Sequence, residues 1–192
     1  MLLRRRRFLA TPALALPWTQ GLAAAGHDEA LRAVRAGGAV VAFRHALAPG
    51  TFDPPGFKLG DCSTQRNLSD DGRHQARRIG QWFVAQGLQP ARVRSSPWCR
   101  CIDTATLAFG QAEPWTALGS PRGSAEQTNE QNLGELRRAL QAAAAQPQEL
   151  QVWVTHMFVL SALTQQNSSS GEGLVLRPGQ GNTVQVLGRF KL

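Results

Sequence analysis

The chain has little lysine: Lys58 and Lys191 are the only two among 21 basic residues, so nearly all its positive charge is arginine. A guanidinium is a planar fork that matches phosphate and carboxylate oxygens. Cysteine is scarce too. Cys62, Cys99 and Cys101 occur without C-x-x-C or H-x-x-x-H spacing, which argues against a zinc site. A cysteine-nucleophile phosphate loop needs Cys and Arg six positions apart, and Cys62 meets Arg66 at only four. No apolar run is long and unbroken enough to cross a bilayer. No internal repeat is present, and no linker divides residues 26–192. With 42% hydrophobic and 18% charged residues, general disorder is excluded, and 192 residues suit one domain with a sizeable core.

Acidic residues are outnumbered, 13 against 21, for a formal charge of +8. Four of the arginines form one block, Arg4–Arg7; without it the balance is 17 against 13, an excess of +4. That excess suits an anionic ligand and equally a solvated basic surface. It comes with no nucleic-acid reading motif, so a nucleic-acid partner is not expected.

Residues 1–25 read as an export signal peptide. A basic start precedes the mildly apolar stretch Phe8 to Leu22, broken by Pro12 and Pro17, and Ala23-Ala24-Ala25 supplies small residues for cleavage near Gly26. Arg5-Arg6-Arg7-Phe8-Leu9 resembles the twin-arginine pattern R-R-x-F-L. The expected location is periplasmic or otherwise exported, with no stable membrane insertion once the signal is removed. In an oxidising compartment Cys62 is expected to pair with Cys99 or Cys101, leaving one thiol free. Those two lie two apart on a predicted helix and so point to different faces.

Apolar periodicity and turn residues predict a helix over 27–35, a strand over 39–43 and a long loop from Ala46 to Asn67. A helix capped by Ser69 runs to about Gln86 and stops at Gly87. Strand 91–95 precedes a helix over 98–109 with Pro97 at its first turn. Residues 115–118 read as a short edge-like strand, and Ser124 opens a capping box for a helix to about Ala145. Strand 150–155, helix 157–165 and short strands over 174–176 and 183–187 complete the chain. Alternating strands and helices predict an α/β fold, a three-layer sandwich with a central, mostly parallel sheet flanked by helices on both faces.

Three predicted strands end in marked positions: Arg44-His45 after the first, Ser95-Ser96-Pro97-Trp98-Cys99-Arg100 after the second, and Thr155-His156 after the fourth. In a parallel sheet these ends share one edge, where ligands bind. Two imidazoles and two guanidiniums converging there repel each other unless an anion sits among them. A phosphoryl group supplies that charge and accepts several charge-assisted hydrogen bonds.

These residues resemble the histidine phosphatase superfamily, which includes cofactor-dependent phosphoglycerate mutases and acid phosphatases. The hallmark Arg-His-Gly is matched by Arg44-His45-Ala46, with another small residue in place of the glycine. The block Ser-Pro-x-x-Arg-Ala-x-x-Thr is matched by Ser96 to Thr104, and the late strand-His by VWVTH ending at His156. Arg66-Asn67-Leu68-Ser69-Asp70-Asp71-Gly72, with Gln75-Ala76 after it, resembles R-x-L-[ST]-x-x-G-x-x-Q-A. Four blocks agree in order over roughly residues 38–165.

The resemblance implies that His45 is the nucleophile and that Arg44, Arg100 and His156 bind the phosphoryl oxygens and stabilise the transition state. It implies a metal-independent phosphatase of phosphomonoesters, with no cofactor, acting on a small phosphorylated substrate; an exported location would suit an envelope sugar phosphate. Mutase activity is not expected in so short a chain. The general acid is left open among Glu126, Glu130, Asp53, Asp61 and Asp103. Arg66 and Lys58 near the loop are candidates to attract an anionic substrate, or plain solvated charges. The alternative is a non-catalytic phosphate- or phosphoglycan-binding module on the same fold.

Overall fold

The computed structural model describes residues 20–120 and 126–192. Among the described residues six strands form one sheet: β1 (Val40–Arg44), β2 (Arg92–Ser95), β3 (Glu113–Pro114), β4 (Gln151–Thr155), β5 (Gly173–Pro178) and β6 (Val184–Phe190). Their order is β3-β2-β4-β1-β5-β6. The pairs β2–β3, β2–β4 and β1–β4 are parallel, and β1–β5 and β5–β6 antiparallel. The mostly parallel α/β fold expected from the alternation is therefore present. The described α-helices that cover it are α1 (Gln20–Arg35), α2 (Asp70–Ala85), α3 (Cys99–Phe109), α4 (Glu126–Ala144) and α5 (Met157–Thr164).

The period-two alternation of β1 divides the core between two faces. Val41 and Phe43 pack with Val34 of α1, Ile79 and Phe83 of α2, and Ala105 of α3. Val40 and Ala42 point the other way, into a cluster with Leu136 and Leu140 of α4 and Leu160 of α5. Both faces are dry, which is why β1 and β4 read as unbroken apolar runs.

Several local expectations are corrected. The segment 115–118 is not a strand: β3 ends at Pro114, and Thr116–Leu118 forms a 3₁₀ turn. The Trp115 amide still donates to Ser95 O, but Ala117 and Leu118 turn inward and are buried. Helix α1 spans Gln20–Arg35 within the described residues and so includes residues before the expected start at His27, where Leu22-Ala23-Ala24-Ala25 are strong helix formers. Pro97 precedes α3 instead of opening it; Trp98 is the N-cap. The C-terminal hairpin is longer than the two apolar runs suggested, with a register shift at Val175/Leu176. Residues 1–19 and the Ser124 cap lie outside the described residues.

Candidate active site

Strand β4 lies between β1 and β2, and its register sets the site: Arg44 sits opposite Thr155, and Ser95 opposite Val154. The ladder continues one residue further, the His45 amide donating to Thr155 O (2.9 Å) and the Ser96 amide to Val154 O (2.8 Å). His45, Ser96 and His156 therefore emerge side by side at one sheet edge, and all three are buried.

The α2 start fixes the chain just after His45. Ser69 caps α2 by accepting from the Gly72 amide, and its own amide donates to Leu47 O. Gly72 packs against Leu47 so tightly that a Cβ there would lie 2.0 Å from the Leu47 carbonyl oxygen. Gln75 receives the Leu47 amide on Oε1 and donates through Nε2 to Ser170 O, clamping the loop from both sides. Ala46, Leu68 and Ala76 form a small buried cluster beneath. The amide of Ala46 donates to Thr104 Oγ1 (3.0 Å), and that hydroxyl donates to Arg100 O (2.6 Å).

His45 Nδ1 lies 2.8 Å from Ala46 O, which can only accept. Nδ1 therefore carries the proton, and Nε2 presents a free lone pair. Burial, with the charges of Arg100, Arg66 and Arg44, pushes the His45 pKa down to about 3 against the opposing Ala46 hydrogen bond. The ring is neutral and nucleophilic over the working pH range. His156 is likewise held neutral by burial and by Arg100. Arg100 Nη2 donates to its Nδ1 at 3.4 Å, so its Nε2–H donates to Ser96 Oγ at 2.8 Å. Ser96 is a site residue whose role the sequence did not disclose, although its Ser-Pro position marked it.

Three guanidiniums line the same cleft of about 570 Å³. Arg44 is anchored by Nη1 to Ser168 O (2.9 Å), and Arg66 by Nη1 to Ala48 O. Arg100 is 3% exposed. The Nε atoms of Arg44, Arg66 and Arg100 are buried and lack hydrogen-bond partners. Burial first, then the Arg100 charge, lowers the pKa of both Arg44 and Arg66. Such a cluster is unfavourable until an anion joins it.

Of the four acid candidates whose side chains are described, only Asp53 lines the cleft. Its Oδ1 accepts from Arg100 Nη1 (2.7 Å) and the Arg66 amide (3.1 Å), and its Oδ2 from Trp98 Nε1 (3.2 Å). Burial would raise its pKa, but the bond to Arg100 and the Arg66 amide prevail and hold the carboxyl below its usual range. Asp61 is exposed and caps a 3₁₀ turn through Ser63. Asp103 pairs with Arg73 on the outer surface (3.5 Å). Glu130 is exposed, and the Glu126 side chain lies outside the described residues. Lys58 is exposed and does not line the cleft, whereas Arg66 does.

The cysteine expectation resolves to Cys62–Cys99, with Cα atoms 5.7 Å apart. Cys101 faces the core, its Sγ donating to Thr155 O, and burial pushes its thiol pKa up to about 12. It is therefore no nucleophile. The bridge ties the 46–67 loop to the first residue of α3, next to Arg100.

Residues 60–159 match the profile of the histidine phosphatase superfamily (branch 1), and the chain belongs to that family. It is by class an enzyme of the histidine phosphatase type. Among solved structures it is similar to the protein histidine phosphatase SixA complexed with tungstate: 17% identity over 80% of this chain and 96% of that one, TM-score 0.56. It is also similar to a mycobacterial glucosyl-3-phosphoglycerate phosphatase in complex with VO3: 15% identity over 77% and 96%, TM-score 0.53. At these identities the likeness establishes the fold. No curated protein sequence matches the chain.

Proposed function

We propose that this protein hydrolyses a small phosphomonoester through a phosphohistidine on His45. One observation carries the reading: three guanidiniums with buried, unpartnered Nε atoms converge on a neutral imidazole whose Nε2 is free. In the first step the Nε2 lone pair attacks phosphorus. The bond to the leaving oxygen breaks and its electron pair departs with that oxygen. In the second step water attacks the phosphorus, the P–N bond breaks, inorganic phosphate leaves and His45 returns. Arg44, Arg66 and Arg100 surround the phosphoryl oxygens and stabilise charge that builds on them. His156, pinned between Ser96 and Arg100, holds Arg100 in register. The tetrahedral oxyanion in the SixA complex supports an oxyanion site on this fold. The reading needs no metal; among the described residues no group of three or more His, Cys, Asp and Glu could hold one.

Exported, oxidising surroundings are part of the proposal, supported by the Cys62–Cys99 bridge and the Arg5-Arg6-Arg7-Phe8-Leu9 stretch. The test is phosphate release from a generic aryl phosphate in EDTA, alongside trapping of labelled phosphoenzyme under alkaline quench. Turnover that resists chelation, with label on His45 and none in His45→Ala, is expected. Phosphate binding by folded protein with neither turnover nor label would favour the non-catalytic binding module instead.

A further inference from the structure

The proposed reaction leaves one side of the cleft unused. Beside the arginines the cleft is lined by Phe52, Pro54 and Phe57 of the 46–67 loop, Trp98 at the α3 cap, and Met157 and Phe158 of α5, with Met157 Sδ 3.6 Å from Arg44 Nη1. Phe57 stacks on Trp98 with centroids 5.6 Å apart and planes 15° from parallel. Trp98 is fixed in turn by Asp53 on its Nε1 and by edge contact with His156 at 5.3 Å. Phe52 and Phe158 are 53% and 38% exposed. Of the five large apolar side chains left exposed among the described residues, two therefore stand at this one mouth. Exposed phenyl rings beside a polar centre are what ligand clefts use to hold a leaving group while polar atoms fix its orientation.

Charge sharpens this. The described residues lining the cleft supply three guanidiniums and one carboxylate, and both histidines are neutral, so together they carry a net charge of two positive. A phosphomonoester above its second pKa, about 6, carries roughly two negative charges. The phosphoryl group alone therefore balances the site. Among the described lining residues no further cation stands by the phenyl rings to meet a second anionic group on the substrate.

We infer that this cleft selects phosphomonoesters whose leaving group is an uncharged aromatic ring, seated against Phe52, Phe57, Trp98 and Phe158. The inference rests on the phosphatase reading and names its substrate class. It also fits the state of Asp53: held ionised on Arg100, that carboxylate has no proton to give. A phenol, with a pKa of about 10, leaves as its anion far more readily than an aliphatic alcohol.

Non-hydrolysable phosphonates test binding without requiring turnover. Benzylphosphonate, cyclohexylmethylphosphonate, methylphosphonate and 2-carboxyethylphosphonate would be titrated calorimetrically into the full-length protein. Benzylphosphonate is expected to bind about tenfold tighter than methylphosphonate, and 2-carboxyethylphosphonate no tighter than methylphosphonate. Phe158→Ala, and separately Phe57→Leu, should cut the benzyl-to-methyl ratio to about threefold or less. Val84→Ala, an exposed apolar residue on α2 outside the cleft, should leave that ratio alone. Equal binding of the benzyl and methyl probes, or tighter binding of the carboxyethyl probe, would overturn the aromatic selection and leave the phosphate site standing. A cyclohexyl probe as good as the benzyl one overturns it in favour of an apolar or sugar-like ring. Failure of every phosphonate to bind would overturn the phosphate site, and this inference with it.

Discussion

His45, Ser96 and His156 stand on main-chain ladder bonds between β1, β2 and β4, whereas Asp53, Phe57 and Arg66 stand on a loop held by side chains and one disulfide. The sheet-edge half is buried. The loop half is mostly exposed, carries Pro54, Pro55, Gly56 and Gly60, and contributes one carboxylate, one guanidinium and much of the aromatic wall. Chemistry that tolerates no displacement sits on the rigid elements, and substrate choice sits where sequence can vary without breaking a ladder.

The sharpest way to test that division is to remove one group from each half. His45→Ala should abolish turnover, a loss of at least about a thousandfold in kcat, since the other described imidazole of the cleft, His156, has both ring nitrogens engaged by Ser96 and Arg100. Residual turnover within tenfold of wild type would place the nucleophile elsewhere. On the loop side, Cys62→Ser with Cys99→Ser opens a link between residues 37 apart in sequence. By chain entropy that lowers unfolding free energy by about 3–4 kcal/mol, measurable by urea denaturation. Hydrogen exchange should then accelerate over 46–67 well before β1 or β4. Uniform acceleration would mean that the two halves are one cooperative unit.

Arg100 belongs to both halves: α3 carries it, Asp53 holds it, and it touches His156. Replacing its fork by a point charge in Arg100→Lys should lower kcat/KM by about a hundredfold. The phosphonate ring preference should survive, because the aromatic wall does not depend on that fork.

Acid offers a graded test of the sheet-edge half. The unfolded chain takes up protons on its histidines near pH 6.5, while folded His45 resists until about pH 3. The unfolded state therefore binds more protons throughout that window. The His45 contribution to stability is complete above pH 6.5 and declines as pH falls towards 3. His156 acts in the same direction. Denaturant unfolding at pH 7.5, 6 and 5 should show a monotonic loss, and the His45 imidazole NMR shifts should stay in the neutral form at pH 5. A His45 midpoint near 6.5 would contradict the burial and charge that shape the site.

The strand ends were legible because apolar runs that stop at polar pairs leave few alternatives: Arg44, His45, Arg100 and His156 all reach the cleft they were expected to share. The α2 motif was legible as a pattern, and the structure supplies its cause in the contact between Gly72 and Leu47. What the sequence hid depends on meetings across the chain. Asp53 was one acid among five, because its identity comes from Arg100, 47 residues on. The bridge was legible only as two alternatives, resolved by which face of α3 looks toward the loop: Cys99 does, and Cys101 looks into the sheet. Residues 115–118 read as a strand because alternation over four residues does not distinguish an edge strand from a buried turn.

Asp53 gives the finest cut between the halves, and the smallest effect. Its carboxylate occupies two donors of Arg100 and offsets one positive charge of the cleft. In Asp53→Asn the side chain keeps its size and its one oxygen can still accept from the Arg66 amide, which should keep the loop seated, while its NH2 cannot accept from the Trp98 indole. The charge does not survive, and the cleft moves one unit more positive. Inorganic phosphate should therefore inhibit or bind about threefold more tightly, with the gain shrinking as salt screens it. The net charge that favours a monophosphate with a neutral leaving group would also be spoiled. 2-Carboxyethylphosphonate should gain more from Asp53→Asn than benzylphosphonate does. If both gain equally, the discrimination against a second anion lies in the rings and not in the charge balance that Asp53 sets.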